Sequence, residues 1–192
     1  MVDKYIMNPI KNFILGLIVK YFNSVETIKE FDLKWFYKIN HFKYRNSTLN
    51  SFMLAMTQLG EAWLPLILVI LGQQYLGIHV EVVQKIIWSF AISGLITQII
   101  KHAMDRERPT KLEDAIIVGP APGNQSFPSG HTTSAFSYCI MIGLIIPQMF
   151  PVMLILACLA GISRIYLGVH WPSDVIIGSI IGSITSLIVY LF

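Results

Sequence analysis

The chain has 192 residues, of which 54% are hydrophobic and 13% charged, where an ordinary soluble domain carries about a quarter charged residues. That balance excludes a soluble globular domain. The length allows one domain, 1–192, and a net charge of +3 is too small to argue for a nucleic-acid partner. The first apolar run, FILGLIV at residues 13–19, falls short of the roughly 20 apolar residues a spanning helix needs. Lys11 and Lys20 bracket it, so it reads either as a short tilted span with both lysines snorkelling or as an amphipathic helix on the surface. No cleavable signal peptide is expected, because the lysines interrupt the apolar run and no small-residue cleavage site follows. LKWFYKINHF (33–42) and TLNSFMLAMTQLG (48–60) read as interfacial helices, with Thr48 as the N-cap of the second.

Five longer apolar segments follow, at about 62–78, 86–100, 132–146, 152–165 and 175–192, with Pro147 ending the third. The glycines and serines of GSIIGSITS in the last predict close helix packing. The aromatic content of 12% suits interfacial belts. Cys139 and Cys158 lie in apolar runs and read as two small buried hydrophobes. With no repeat, low-complexity tract or linker, the expected fold is all-α: a polytopic membrane helical bundle of five to six transmembrane helices, with interfacial or amphipathic helices at its N-terminus.

Polar residues gather at three places: KHAMDRERPT (101–110), SFPSGH (126–131) and SRIYLGVHWPSD (163–174). Counting crossings puts all three on one side of the membrane. Singly, each has a bland explanation in snorkelling cations or an N-cap. Jointly they bring Lys101, Arg108 and Arg164 to one face with His131, His170 and Asp174, and ionisable groups at membrane depth are functional candidates by default. Three cations with no matching deep carboxylate suit an anion, and arginine forks suit phosphate best. Ser129 can cap a helix, which leaves the amides of Gly130 and His131 open to a phosphate, and Gly130 permits close backbone approach. Pro172 fits a first helical turn. Asp174, four residues beyond His170, can accept its ring N–H, fix its tautomer and support a cationic imidazole. His131 has no such partner in the sequence. One oriented and one unpartnered histidine suit a nucleophile and a general acid.

These residues carry a resemblance. K-x6-R-P (Lys101 to Pro109), P-S-G-H (Pro128 to His131) and S-R-x5-H-x3-D (Ser163 to Asp174) together resemble the three-part signature of the type 2 phosphatidic acid phosphatase (PAP2) family, whose superfamily also holds vanadium haloperoxidases and bacterial acid phosphatases. The resemblance implies that His170 attacks phosphorus, Asp174 orients it and His131 protonates the leaving group. It implies further that Lys101, Arg108, Arg164, Ser129 and the Gly130 amide hold the phosphoryl oxygens, and that no metal or other cofactor is needed. The sequence agrees on the metal, with no carboxylate cluster for Mg²⁺ and no zinc spacing. His102, Asp105, Arg106 and Glu107 are assigned no chemistry, and His41 and His79 are taken as structural.

The implied substrate is a membrane lipid phosphate: phosphatidate, phosphatidylglycerophosphate, undecaprenyl diphosphate or a lipid A-type phosphate. A phosphotransferase on the same scaffold and a non-enzymatic anion transporter are the alternatives. The transporter is disfavoured because its polar residues would spread through the bilayer rather than sit at one face. The resemblance implies a bacterial inner membrane with the site facing outward. The charge pattern argues the reverse if residues 13–19 do not cross, since Lys4, Lys11, Lys20, Lys29, Lys34, Lys38, Lys43 and Arg45 then share the active face and only Lys85 lies opposite.

Overall fold

The computed structural model describes residues 26–61, 63–76, 79–120, 123 and 125–192; the FILGLIV run lies outside them. The described residues form α1 (Glu26–Asn40), α2 (Ser47–Gln58), α3 (Trp63–Leu76), α4 (Val80–Ala103), α5 (Gly130–Ile145), α6 (Phe150–Tyr166) and α7 (Pro172–Leu191), with 3-10 turns at Pro109–Lys111 and Pro147–Met149. No strand occurs among them.

The centre of the bundle is α5, which packs against α4, α6 and α7. Its sequence is apolar or small all round, the pattern of a helix enclosed on every side, and most of its residues from Thr132 to Gly143 are buried. Around it the usual soluble pattern is inverted. On α4, Ser89, Ser93 and Thr97 repeat every fourth residue and are buried, whereas Trp88, Leu95 and Ile99 are exposed. On α6 and α7 the exposed residues include Ile155, Ile162, Ile180, Ile184 and Ile188. Apolar surface this extensive fits contact with lipid rather than water. Among the described residues, three segments are long and apolar enough to cross a membrane: Val80–Ala103, Pro147–Tyr166 and Pro172–Leu191. Both α3, with 14 residues, and α5, with 16, are shorter.

Small residues bring α7 against α5. A Cβ on Gly182 would lie 2.5 Å from the Thr133 carbonyl oxygen, and one on Gly178 2.8 Å from that of Ser129. Below them Ser186 Oγ donates to the Ser137 carbonyl and sits 2.8 Å from Ser89 Oγ, tying α4, α5 and α7 where no water can satisfy a hydroxyl. Gly182→Leu is therefore expected to lower stability by about 2 kcal/mol or more through overpacking, read as a fall in the unfolding temperature of the detergent-purified protein. Ile180→Leu on the exposed face of α7 should leave it unchanged.

Two local expectations need correction. The N-cap of α2 is Asn46, not Thr48: Asn46 Oδ1 accepts from the Leu49 amide at 2.8 Å, and the helix begins one residue before Thr48. Cys139 is buried as expected, but Cys158 is exposed on α6, because its position on the helix turns outward. The interfacial reading of α1 is half of the story. Phe31, Trp35, Lys34 and Lys38 face outward, but Asp32, Phe36 and Asn40, spaced every fourth residue, are buried against the bundle. Asn40 Nδ2 donates to the carbonyls of Ile116 and Tyr166, and its Oδ1 accepts the Ile116 amide.

Candidate active site

The polar segments predicted to share a face do meet, where the C-terminal ends of α4 and α6 approach the N-terminal ends of α5 and α7. Lys101 lies in the last turn of α4 and Arg164 in the last turn of α6. Ser129 is the N-cap of α5, its Oγ accepting from the Thr132 amide, which places Gly130 and His131 in the first turn. There a helix leaves its amides without intrahelical acceptors. Pro172 opens α7, so Asp174 falls in that helix's first turn, where a carboxylate is favoured.

His170, 2% exposed, lies between two groups that define its tautomer. Arg108 Nη1 is 3.0 Å from His170 Nε2. A guanidinium only donates, so Nε2 must be the acceptor and the ring proton sits on Nδ1. Nδ1 faces Asp174 Oδ2 at 3.4 Å. Burial pushes the imidazole down to about 3 from its ordinary value near 6.5; Asp174 opposes the shift while Arg164 and Arg108 reinforce it. The sequence suggested a cationic ring. Burial and the Arg108 donor at Nε2 both favour the neutral ring, against the single carboxylate.

Arg108 is held rigidly: Nε donates to the Gly123 carbonyl, Nη2 to that of Gln125 at 2.7 Å and Nη1 to that of Val169 at 2.7 Å. Arg164 is less occupied. Its Nη1 donates to Thr57 Oγ1 at 2.6 Å, while its buried Nε has no partner. No hydrogen bond or ion pair engages the Lys101 ammonium among the described residues.

Asp174 is fully buried and crowded with donors. Oδ2 accepts the Trp171 amide at 2.9 Å and the Ser126 hydroxyl, and Oδ1 accepts Arg106 Nη1 at 2.7 Å. Arg106 was given no role by the sequence. It also donates Nη1 to Ser173 Oγ at 2.7 Å and Nη2 to Asp32 Oδ2 on α1. Asp32 in turn accepts the amide and hydroxyl of Ser173. Asp32, 1% exposed, is a deep carboxylate the sequence did not reveal, but it pairs with Arg106, and among the described residues Lys101, Arg108 and Arg164 have no carboxylate ion pair, as expected.

A second correction concerns His131. Its Nε2 lies 2.9 Å from Glu61 Oε1, so it has a carboxylate partner after all. Gly60 makes this possible: a Cβ there would stand 2.5 Å from His131 Cβ and 2.6 Å from its carbonyl oxygen. The end of α2 is further fastened by the Tyr138 hydroxyl, which donates to the Leu59 carbonyl. Between these groups lies a cavity of about 210 Å³ lined by Thr57, Gln58, Glu61, His131, Arg164 and Val169, among others.

The geometry agrees with three comparisons. The PAP2 superfamily pattern matches residues 83–192. An undecaprenyl-diphosphatase of Sulfolobus acidocaldarius is 30% identical over 177 residues, 88% of this chain and 82% of its own length. A lipid A 1-phosphatase of Rhizobium johnstonii is 32% identical over 106 residues, 53% of this chain but only 43% of that protein. The crystal structure of Aquifex aeolicus LpxE superimposes with a TM-score of 0.73 at 28% identity, covering 84% of this chain and 96% of that one. A transmembrane PAP2-type phosphatidylglycerolphosphate phosphatase from Bacillus subtilis gives 0.77 at 24% identity over 97% of this chain and 96% of that one, a likeness of fold. The family match covers more than half of the chain, and the most extensive of these relatives aligns with most of it: the chain belongs to the PAP2 superfamily and is a membrane phosphatase of that superfamily.

Proposed function

We infer that the chain is an integral-membrane lipid phosphatase that hydrolyses a phosphate monoester or diphosphate through a phosphohistidine at His170, with α3 and α5 completing a bundle of at least five spans. The observation that carries this reading is the surplus of buried donors around one neutral imidazole. Arg164 Nε has nothing to donate to, Lys101 is unpaired among the described residues, and Arg108 sits 3.0 Å from the nitrogen that bears the lone pair. Such a site is short of an anion, and phosphate matches its forks and helix terminus.

His170 Nε2 attacks phosphorus while Asp174 holds the Nδ1 proton. The bond from phosphorus to the leaving oxygen breaks with its electron pair on oxygen, and His131 delivers a proton to it. Lys101, Arg108, Arg164 and the first-turn amides of α5, which Ser129 caps, take up the charge that builds on the other oxygens. Water, deprotonated by His131, then attacks the phosphohistidine, the P–N bond breaks, and phosphate leaves with the imidazole restored. Arg106 and Asp32 act through Asp174 as positioning residues. The acyl or prenyl chains stay in the bilayer while the headgroup reaches the site.

The purified protein is expected to release phosphate from lipid phosphates in the presence of EDTA; no release from any of the four lipid classes, together with no phosphoenzyme, rejects this reading. His131→Ala should slow lipid phosphates about a hundredfold or more, as loss of a general acid does, and slow p-nitrophenyl phosphate far less, because that leaving group needs no proton. Equal losses on both substrates would remove His131 from the acid role.

A further inference from the structure

The cavity in front of Arg164 carries a feature that phosphoryl binding does not use. Among the described residues that line it, Arg164 is the one guanidinium and Glu61 the one carboxylate, and Lys101 and Arg108 do not line it. Glu61 stands against His131, at the end where the leaving group departs, 2.9 Å from the ring nitrogen. The rest of the lining is polar at Thr57 and Gln58 and apolar at Leu54, Val118, Pro120, Leu167 and Val169. The backbone that carries Glu61 is held at this end of the cavity, because Gly60 is pressed against the backbone of His131 and Leu59 is held by Tyr138.

We propose that Glu61 selects the leaving group: it disfavours substrates that expel a second phosphate and favours a phosphate monoester of a hydroxyl-bearing headgroup, a polyol or a sugar. This rests on the phosphatase reading above. When a monoester is cleaved, the leaving oxygen takes the His131 proton and becomes a neutral hydroxyl, any phosphodiester charge of the headgroup lying further along the chain, and neighbouring hydroxyls can donate to Glu61 and Gln58. When a diphosphate is cleaved, a lipid phosphate departs and keeps at least one negative charge. That charge must then sit beside a carboxylate in a partly desolvated cavity whose single arginine already holds the transferred phosphoryl group. Like charges at this range oppose one another strongly outside bulk water, and no second cation lines the cavity, among the described residues, to offset the repulsion.

The test compares kcat/KM for phosphatidylglycerophosphate and for a polyprenyl diphosphate in detergent micelles, using the full-length protein and Glu61→Gln. The ratio of diphosphate to monoester turnover is expected to rise about tenfold or more in Glu61→Gln, through loss of repulsion in the transition state. Gln58→Lys, which adds a cation to the same wall, should move the ratio the same way and serves if Glu61→Gln does not fold. A ratio that stays within about twofold of wild type in the folded variants overturns the proposal. His170→Ala runs in parallel. Turnover lost in His170→Ala with an unchanged ratio sinks the role of Glu61 alone. Turnover that survives His170→Ala brings down the phosphohistidine reading and this inference with it.

Discussion

His170→Ala is expected to reduce phosphate release from every lipid phosphate by about a thousandfold or more, the loss that accompanies removal of a covalent nucleophile. The geometry leaves no understudy. Nε2 of His170 faces Arg108, and the other histidine of the site faces Glu61. Wild-type protein quenched in alkali during turnover should carry a covalent phosphate that acid removes, and His170→Ala should carry none. The pH dependence has a definite sign. Attack needs the neutral imidazole. An unperturbed histidine becomes half protonated at about pH 6.5, whereas burial brings His170 to about 3. Its protonation therefore contributes no acid limb to kcat/KM between pH 5 and 8, and activity in that window follows the other ionisations of the enzyme and the substrate. A limb near 6.5 that vanishes when His131 is intact and Asp174 is replaced by asparagine would assign that ionisation to the His170–Asp174 pair and contradict the neutral resting state.

The second large effect is expected at Arg106, a residue that touches no substrate group in the proposed reaction. Its guanidinium joins the buried carboxylates of Asp32 and Asp174. Arg106→Leu leaves both without their cation, and breaking a buried pair in this way costs about 3 kcal/mol or more. The unfolding temperature should fall sharply, and kcat should fall about tenfold or more because Asp174 loses the donor that fixes Oδ1. KM should change little, since Lys101, Arg108 and Arg164 are untouched. A double variant, Asp32→Asn with Arg106→Gln, separates architecture from chemistry. It removes both charges together, so stability should recover part of the way while kcat stays low. Full recovery of kcat with stability would make the pair purely structural.

The motif residues were legible because their logic is local. Asp174 follows His170 by four residues, Ser129 precedes a long apolar helix, and the cations stand at helix ends, so spacing alone brings them to one face. The two carboxylates that touch those residues were not legible. Asp32 meets Ser173 across 141 positions and Glu61 meets His131 across 70, and no periodicity encodes a pairing of that kind. A trace of Asp32 was present: Asp32, Phe36 and Asn40 form one buried stripe on α1, but the segment read as interfacial, 33–42, begins after Asp32. Gly60 drew no reading of its own from the sequence, whereas its missing side chain is what admits His131. Cys158 and the N-cap of α2 were misplaced for a related reason: a one-residue shift in helix phase or boundary changes which side faces out. The close seating of α7 on α5 was foreseen from its glycines and serines, because small residues in an apolar helix have few other uses.

The superfamily match begins at residue 83, and every motif residue lies beyond it. Yet the carboxylates that engage Arg106 and His131 come from residues 32 and 61. A boundary drawn by likeness would thus cut through the catalytic unit rather than around it. The fragment 83–192 would retain the whole signature and still lack the carboxylate that meets His131 and the one that anchors Arg106 beside Asp174. The described helices α1 and α2 and the turn after them thus touch the signature residues directly, and a transplant of the signature onto another N-terminus is expected to need equivalents of Asp32 and Glu61.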